Sequence, residues 1–203
     1  NGIKLHYVRT GDGTKPTLIL SHGFTDNGLC WAPVARELES DYDIIMYDAR
    51  GHGLSDAPES GYTTENRADD LAGLVRALDL EKPAVLGHSM GGSTAAAAGA
   101  KYPDLFGKLL LEDPGWWDPN SERVEMSDEE RVAWVERRRE EMLERKQMSK
   151  AALMALCREN SPTWSESEIG PWAIAKQQLS PNIVNVVGGK PRLWREDVKR
   201  LAS

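Results

Sequence analysis

The sequence predicts an α/β protein, a mostly parallel sheet covered by helices on both faces and followed by an all-helical stretch. Three observations predict it. Short apolar runs alternate with helical segments of ten or more residues from Ile3 to Leu111. One such run, Ala84-Val85-Leu86, leads straight into Gly87-His88-Ser89-Met90-Gly91 and a helix of small residues. After Pro114 the strand signal stops while helical periodicity continues to about Leu179.

In chain order, Ile3 to Arg9 alternates apolar and polar residues as a half-exposed strand would, and Gly11-Asp12-Gly13 supplies a turn. Thr17 to Leu20 is a short buried strand that runs into Ser21-His22-Gly23-Phe24. Residues 29–38 read as a helix with Leu29, Val34, Ala35 and Leu38 on one face. A buried strand from Ile44 to Tyr47 ends at Asp48 and opens the glycine-rich loop Asp48-Ala49-Arg50-Gly51-His52-Gly53-Leu54-Ser55. Thr63 or Thr64 can cap the next helix, which turns Leu71, Leu74, Val75 and Leu78 inward. The strand at 84–86, a helix through Tyr102 and a strand from Leu109 to Leu111 complete the alternation.

From Ser127 to Gln147 the pattern is one long charged helix. Ser127 and Glu130 form a capping box, Arg137, Glu141 and Arg145 are spaced for i,i+4 pairing, and Val132, Val135 and Met142 make a narrow inward stripe. Further helices are predicted at 149–158 and 165–179, and Arg195 to Leu201 reads as a lead-in to something further.

Composition narrows the function classes. With 32 acids against 25 bases the net charge is −7, which repels phosphate backbones and excludes nucleic acid as the expected partner. No apolar run approaches the ~18 residues of a membrane span, and no charged-then-apolar leader opens the chain. Cys30 and Cys157 match no metal or redox spacing and read as free thiols in a reducing compartment, so a cytoplasmic location is expected.

The chemistry centres on residues 87–91. A strand ending in G-x-S-x-G that turns at once into a helix holds its serine on a sharp, strained bend with the hydroxyl above the sheet. Together with S-H-G-F at 21–24 and D-A-R-G-H-G-L-S at 48–55, the run G-H-S-M-G-G at 87–92 resembles the α/β-hydrolase fold. The resemblance is continuous from about Ile3 to Pro114, and the helical stretch resembles the variable cap that many members carry after their sixth strand. It implies that residues 1–114 form the N-terminal part of the core, 115–190 the helical cap, and 191–203 a lead back toward the core.

The resemblance makes Ser89 the nucleophile and the backbone N–H groups of Met90 and Phe24 the oxyanion hole, with Gly23 allowing close approach. It gives His22 the place of a brace for the oxyanion loop and turns His88 away from Ser89. Asp48 and Arg50 stabilise the loop around His52 by hydrogen bonds and an ion pair, and His6 carries no expected role. The triad order is Ser, acid, His, yet no histidine follows Ser89. The base and the acid are therefore expected from a longer polypeptide or a second associated chain, as is a strand before Asn1. These 203 residues alone are expected to be almost inactive, with an unpaired apolar edge at Leu109 to Leu111. Asp113 follows that strand, where some relatives take the acid and where such a residue otherwise caps the turn.

Five of the seven tryptophans, at 116, 117, 134, 164 and 172, fall in the expected cap, 115–190. Such side chains over a nucleophile point to a hydrophobic acyl or ring-containing substrate, with Trp116 and Trp117 as the pocket residues. The expected activity is serine hydrolysis of a small hydrophobic ester or lactone with no metal or cofactor. The alternatives are a carbon–carbon bond hydrolase, a cofactor-free perhydrolase, or a noncatalytic binder of a small hydrophobic ligand. Serine at this bend argues against dehalogenases and epoxide hydrolases, which use aspartate there.

Overall fold

The computed structural model describes residues 2–114, 127–186 and 194–201. Five strands, β1 (Tyr7–Arg9), β2 (Thr17–Ser21), β3 (Asp43–Tyr47), β4 (Ala84–His88) and β5 (Leu109–Glu112), form one sheet in the order β1-β3-β2-β4-β5. β1 runs antiparallel to β3 and every other pairing is parallel. In register, Leu20 faces Met46 and Leu86, Ser21 faces Gly87, and His88 faces Glu112. The carboxyl ends of β2, β4 and β5 therefore lie side by side, and the residues after them share one rim of the sheet.

Alternation along each strand sends neighbouring side chains to opposite faces. Ile19, Ile45 and Val85 go to one face, where they pack with Ala68, Leu71 and Val75 of α2 (Thr64–Ala77) and Ala95 and Ala98 of α3 (Met90–Lys101). Leu18, Leu20, Ile44 and Met46 go to the other, against Ala35 and Leu38 of α1 (Ala32–Leu38). The expected two-faced α/β arrangement is present.

Several local signals act as read. Thr63 caps α2 through the Asn66 N–H, and Ser127 with Glu130 forms the capping box of α4 (Asp128–Gln147). α5 (Lys150–Asn160), α6 (Glu166–Gln178) and a 3₁₀ turn (Pro181–Val186) follow. α7 (Trp194–Leu201) packs on α3, where Leu201 and Leu109 flank Gly99.

Other expectations change. β1 is shorter than 3–9 because Lys4 and His6 bond sideways: the Asp56 N–H donates to Lys4 O at 3.0 Å and the His6 N–H donates to Ser55 Oγ at 2.8 Å. The helix expected at 29–38 begins as a 3₁₀ turn, Gly28–Trp31. On α4, Met142 is buried and Val135 packs beside it, whereas Val132 is 57% exposed because nothing covers that end of the stripe among the described residues. Glu141 pairs with Arg138 at 3.0 Å rather than at the i,i+4 spacing. β5 ends the sheet among the described strands, with Leu110 48% exposed.

Candidate active site

Ser89 sits between β4 and α3 with φ 51° and ψ −112°, a conformation that costs a side-chain-bearing residue about 1–3 kcal/mol. The surroundings hold it there. A Cβ at Gly87 would lie 2.4 Å from Gly91 O, and one at Gly91 would lie 2.0 Å from Ser21 O, so both glycines are required by close backbone approach. The Ser89 N–H donates to Glu112 O at 2.9 Å and fixes the bend to the end of β5. Ser89 is half-buried at the first turn of α3, where the leading N–H groups, Met90 first, lack intrahelical partners.

The loop after β2 is held by three successive carbonyls. His22 Nδ1 donates to Gly23 O at 2.8 Å, a tautomer set by the Ala49 N–H, which donates to His22 Nε2 at 3.0 Å. His52 places Nε2 2.8 Å from Phe24 O and Nδ1 2.9 Å from Arg50 O, two acceptors between which a neutral ring shares its single N–H, and Lys176 Nζ of α6 donates to Thr25 O at 2.6 Å. Because a trans peptide points its N–H opposite to its C=O, anchoring Gly23 O turns the Phe24 N–H away from His22. Lys176 is 3% exposed and also bonds Thr25 Oγ1 at 2.8 Å and Asp26 Oδ1 at 3.3 Å. A second bond from α6, Asn27 Nδ2 to Gln178 Oε1 at 2.9 Å, lies beside it.

The 48–55 loop braces this one. Asp48 accepts from the Gly28 N–H at 2.7 Å and the Leu54 N–H at 3.0 Å, and pairs with His6 at 2.7 Å, a partner the sequence did not disclose. The ion pair expected of Arg50 goes to Asp70 on α2, at 2.5 and 2.7 Å. Burial, with His52 beside it, pushes His22 down to about 3, and burial likewise lowers His52 from 6.5. Both rings are neutral and structural, and neither is a base for Ser89.

A pH dependence follows. Between about 3 and 6.5 the folded state leaves His22 unprotonated while the unfolded chain protonates it, so folding stability is intact above 6.5 and is lost as pH falls toward 3. His52 acts in the same direction. His22 contributes up to about 1.4 kcal/mol per pH unit, so the urea midpoint should fall steadily from pH 6.5 to 4.5; a flat profile there would contradict the neutral assignments.

A cavity of about 240 Å³ opens at the carboxyl ends of β2, β4 and β5, lined by Gly23, Trp31, His88, Trp164 and Trp172 among others. His88, expected to turn away from Ser89, is among the residues that line this cavity, and Ser89 is not. Of the expected tryptophans, Trp164 and Trp172 line it, Trp134 lies under Arg138 at 5.5 Å, and Trp116 and Trp117 fall outside the described residues. Trp31 was not anticipated: it sits in the core portion, and its buried indole N–H has no partner among the described residues. Cys30 also lines the cavity, but burial and Asp26 push its thiol up to about 12, so it is no nucleophile at neutral pH. Asp113 is exposed on the bend after β5, with φ 39°. Among the described residues no group of three or more His, Cys, Asp and Glu side chains is placed to hold a metal, and no helix is long and apolar enough to cross a membrane.

Known proteins resemble this chain in sequence and in fold. A family model described as alpha/beta hydrolase fold matches residues 16–169. The chain is 41% identical over 101 residues to 2-(acetamidomethylene)succinate hydrolase of Mesorhizobium japonicum, covering 50% of this chain and 36% of that protein. It is 33% identical over 113 residues to epoxide hydrolase 4 of Mus musculus, covering 55% and 32%. Among solved structures, N-formylmaleamic acid deformylase from Pseudomonas putida superimposes with a TM-score of 0.72 at 28% identity, over 92% of this chain and 69% of that one. The matches span about a third of the length of these two curated relatives.

Proposed function

The chain belongs to the alpha/beta hydrolase fold family, and from that premise we propose that it carries the nucleophile, the oxyanion hole and the lid of a serine hydrolase acting on a carboxylic ester or lactone. The observation that carries this reading is the backbone of Ser89, held at φ 51° between two glycines that tolerate no side chain. Strain of this kind persists where the surroundings impose it, and it sets a hydroxyl at the head of a helix.

Ser89 Oγ attacks the substrate carbonyl carbon, and the resulting oxyanion is bound by the N–H groups of Met90 and Phe24. The leaving alcohol departs with a proton, and water then cleaves the acyl-serine ester. The proton moves through a base. His6, His22 and His52 are spent on Asp48, Gly23 and Phe24 respectively, and His88 is assigned to the cavity wall rather than to Ser89, so the base is assigned to a histidine, and the triad acid to a residue, beyond these 203 residues. Asp113, exposed at its bend, is assigned to the turn. Helices α4–α6 form the lid, and Trp116 and Trp117 remain proposed pocket residues beside Trp164 and Trp172.

The 41% identity to a hydrolase of an acetamidomethylene succinate favours a second reading, attack by the same serine on a substrate that is not an ester. Product analysis on ester, amide and ring-cleavage substrates separates the two. Both require that a fluorophosphonate label the complete protein at Ser89. No label, or a label mapped to another residue, would leave only the noncatalytic binder.

The lid also acts on the loop. Replacing Lys176 by Met frees Thr25 O, and kcat is expected to fall about tenfold, a fraction of the roughly 100 to 1000-fold lost with a whole oxyanion donor. Gln178→Ala, which loosens α6 but leaves Thr25 anchored, should change kcat less than threefold. Equal losses in the two variants would reduce Lys176 to a tether.

A further inference from the structure

The proposed chemistry of Ser89 leaves unused the walls and the charge of the cavity at the same rim of the sheet, whose lining includes Gly23 and His88, the sequence neighbours of Phe24 and Ser89. Three of its walls are indole rings, Trp31, Trp164 and Trp172. Its acidic side chains are Asp26, Glu112 and Glu168, and no lysine or arginine lines it among the described residues. Lys176 lies behind one wall, where its ammonium is 3.3 Å from the Asp26 carboxylate and largely cancels that charge. Glu168 is half-buried and accepts from the Ser165 N–H and hydroxyl through a single oxygen, Oε2, at 2.7 Å each. Those bonds hold its carboxyl below the usual range, so it is ionised at neutral pH. Glu112 is exposed at the end of β5. With Asp26 offset by Lys176, two uncompensated carboxylates remain around an aromatic chamber.

The indoles accept cations, since the Lys176 ammonium already sits 4.8 Å from the Trp172 ring centre. A cation over an aromatic face is held by the ring quadrupole, more strongly where water is excluded. A substrate carboxylate would meet like charge here, with no guanidinium or ammonium to receive it. An alkylammonium group has the opposite fit: an apolar surface for the indoles and a positive charge for the glutamates.

We infer that the cavity selects an ester or lactone bearing a quaternary ammonium group and discriminates against carboxylate-bearing ones, an inference that rests on Ser89 as the nucleophile of the proposed hydrolase. The test uses the complete protein and the p-nitrophenyl ester of γ-trimethylammoniobutyric acid beside its tert-butyl isostere, in which carbon replaces nitrogen. The ammonium ester should show a kcat/KM about tenfold higher at low ionic strength, a preference that narrows as salt is added. Glu168→Gln removes the charge while glutamine keeps the capping box, and it should lower that ratio about threefold. An ammonium ester no better than its isostere, or a ratio that Glu168→Gln leaves untouched, overturns the inference.

A binding measurement separates this from the hydrolase reading. Choline and its uncharged carbon isostere are titrated against tryptophan fluorescence of the Ser89→Ala protein, and choline should bind about tenfold more tightly. Equal or weaker choline binding overturns the inference whatever the catalytic result. Tighter choline binding in a protein that turns over neither ester and takes no fluorophosphonate overturns the hydrolase reading alone.

Discussion

Replacing Ser89 by alanine in the complete protein is expected to cut kcat about 10⁶-fold, roughly 8 kcal/mol of transition-state stabilisation. Without Oγ there is no acyl-enzyme, and the N–H groups of Met90 and Phe24 can only assist direct attack by water, which leaves the modest residual rate that oxyanion binding alone supplies. Substrate affinity should stay within about threefold, because the cavity is built from other side chains. Stability should also stay within about 1 kcal/mol, since alanine meets the same backbone strain at this φ as serine does. Steady-state kinetics with p-nitrophenyl butyrate, beside a thermal melt, read both quantities. A loss below about a hundredfold would remove Ser89 as the nucleophile.

The second large effect is on folding. A Cβ at Gly91 would sit 2.0 Å from Ser21 O and 2.5 Å from Ser21 C. Those atoms are backbone of β2, the middle strand of the five, so no flexible side chain can yield. Over-packing a core costs about 1–3 kcal/mol where side chains adjust, and here the helix and the central strand must separate. Gly91→Ala is expected to cost more than about 4 kcal/mol, a large share of the 5–15 kcal/mol that holds an ordinary domain together. Gly73→Ala is the control. It lies within α2 with nothing within 4 Å of the added carbon, and it should stabilise by about 0.5–1 kcal/mol because alanine favours helix over glycine. Urea unfolding of the pair should shift in opposite directions, and a shared direction would contradict the packing described at the elbow.

What the sequence disclosed were features whose causes lie within a few residues. Thr63 and Ser127 announce helices because a cap and the N–H it receives are three residues apart. The strained bend at Ser89 is legible because its glycines flank it. Contacts made across the fold were illegible. Arg50 is charged and sits in a loop, yet nothing local says that its partner is Asp70 on a helix rather than Asp48 two residues away. His6 looked inert because Asp48 lies 42 residues on. Val132 kept the helical period but lacked a neighbour. Trp31 and His88 reached the cavity through the crossing of elements that periodicity cannot orient, whereas Trp164 and Trp172 could be suspected because aromatic residues crowd one region.

One bond also orders events in time. Thr25 and Lys176 are 151 residues apart, so a chain synthesised from its N-terminus completes the serine bend well before the lysine exists. At about 5–20 residues per second the interval between Ser89 and Lys176 is on the order of ten seconds. During it the loop after β2 lacks the anchor on Thr25 O. The third anchor of the loop after β2 is therefore set by the docking of α6, well after the elbow itself has been synthesised.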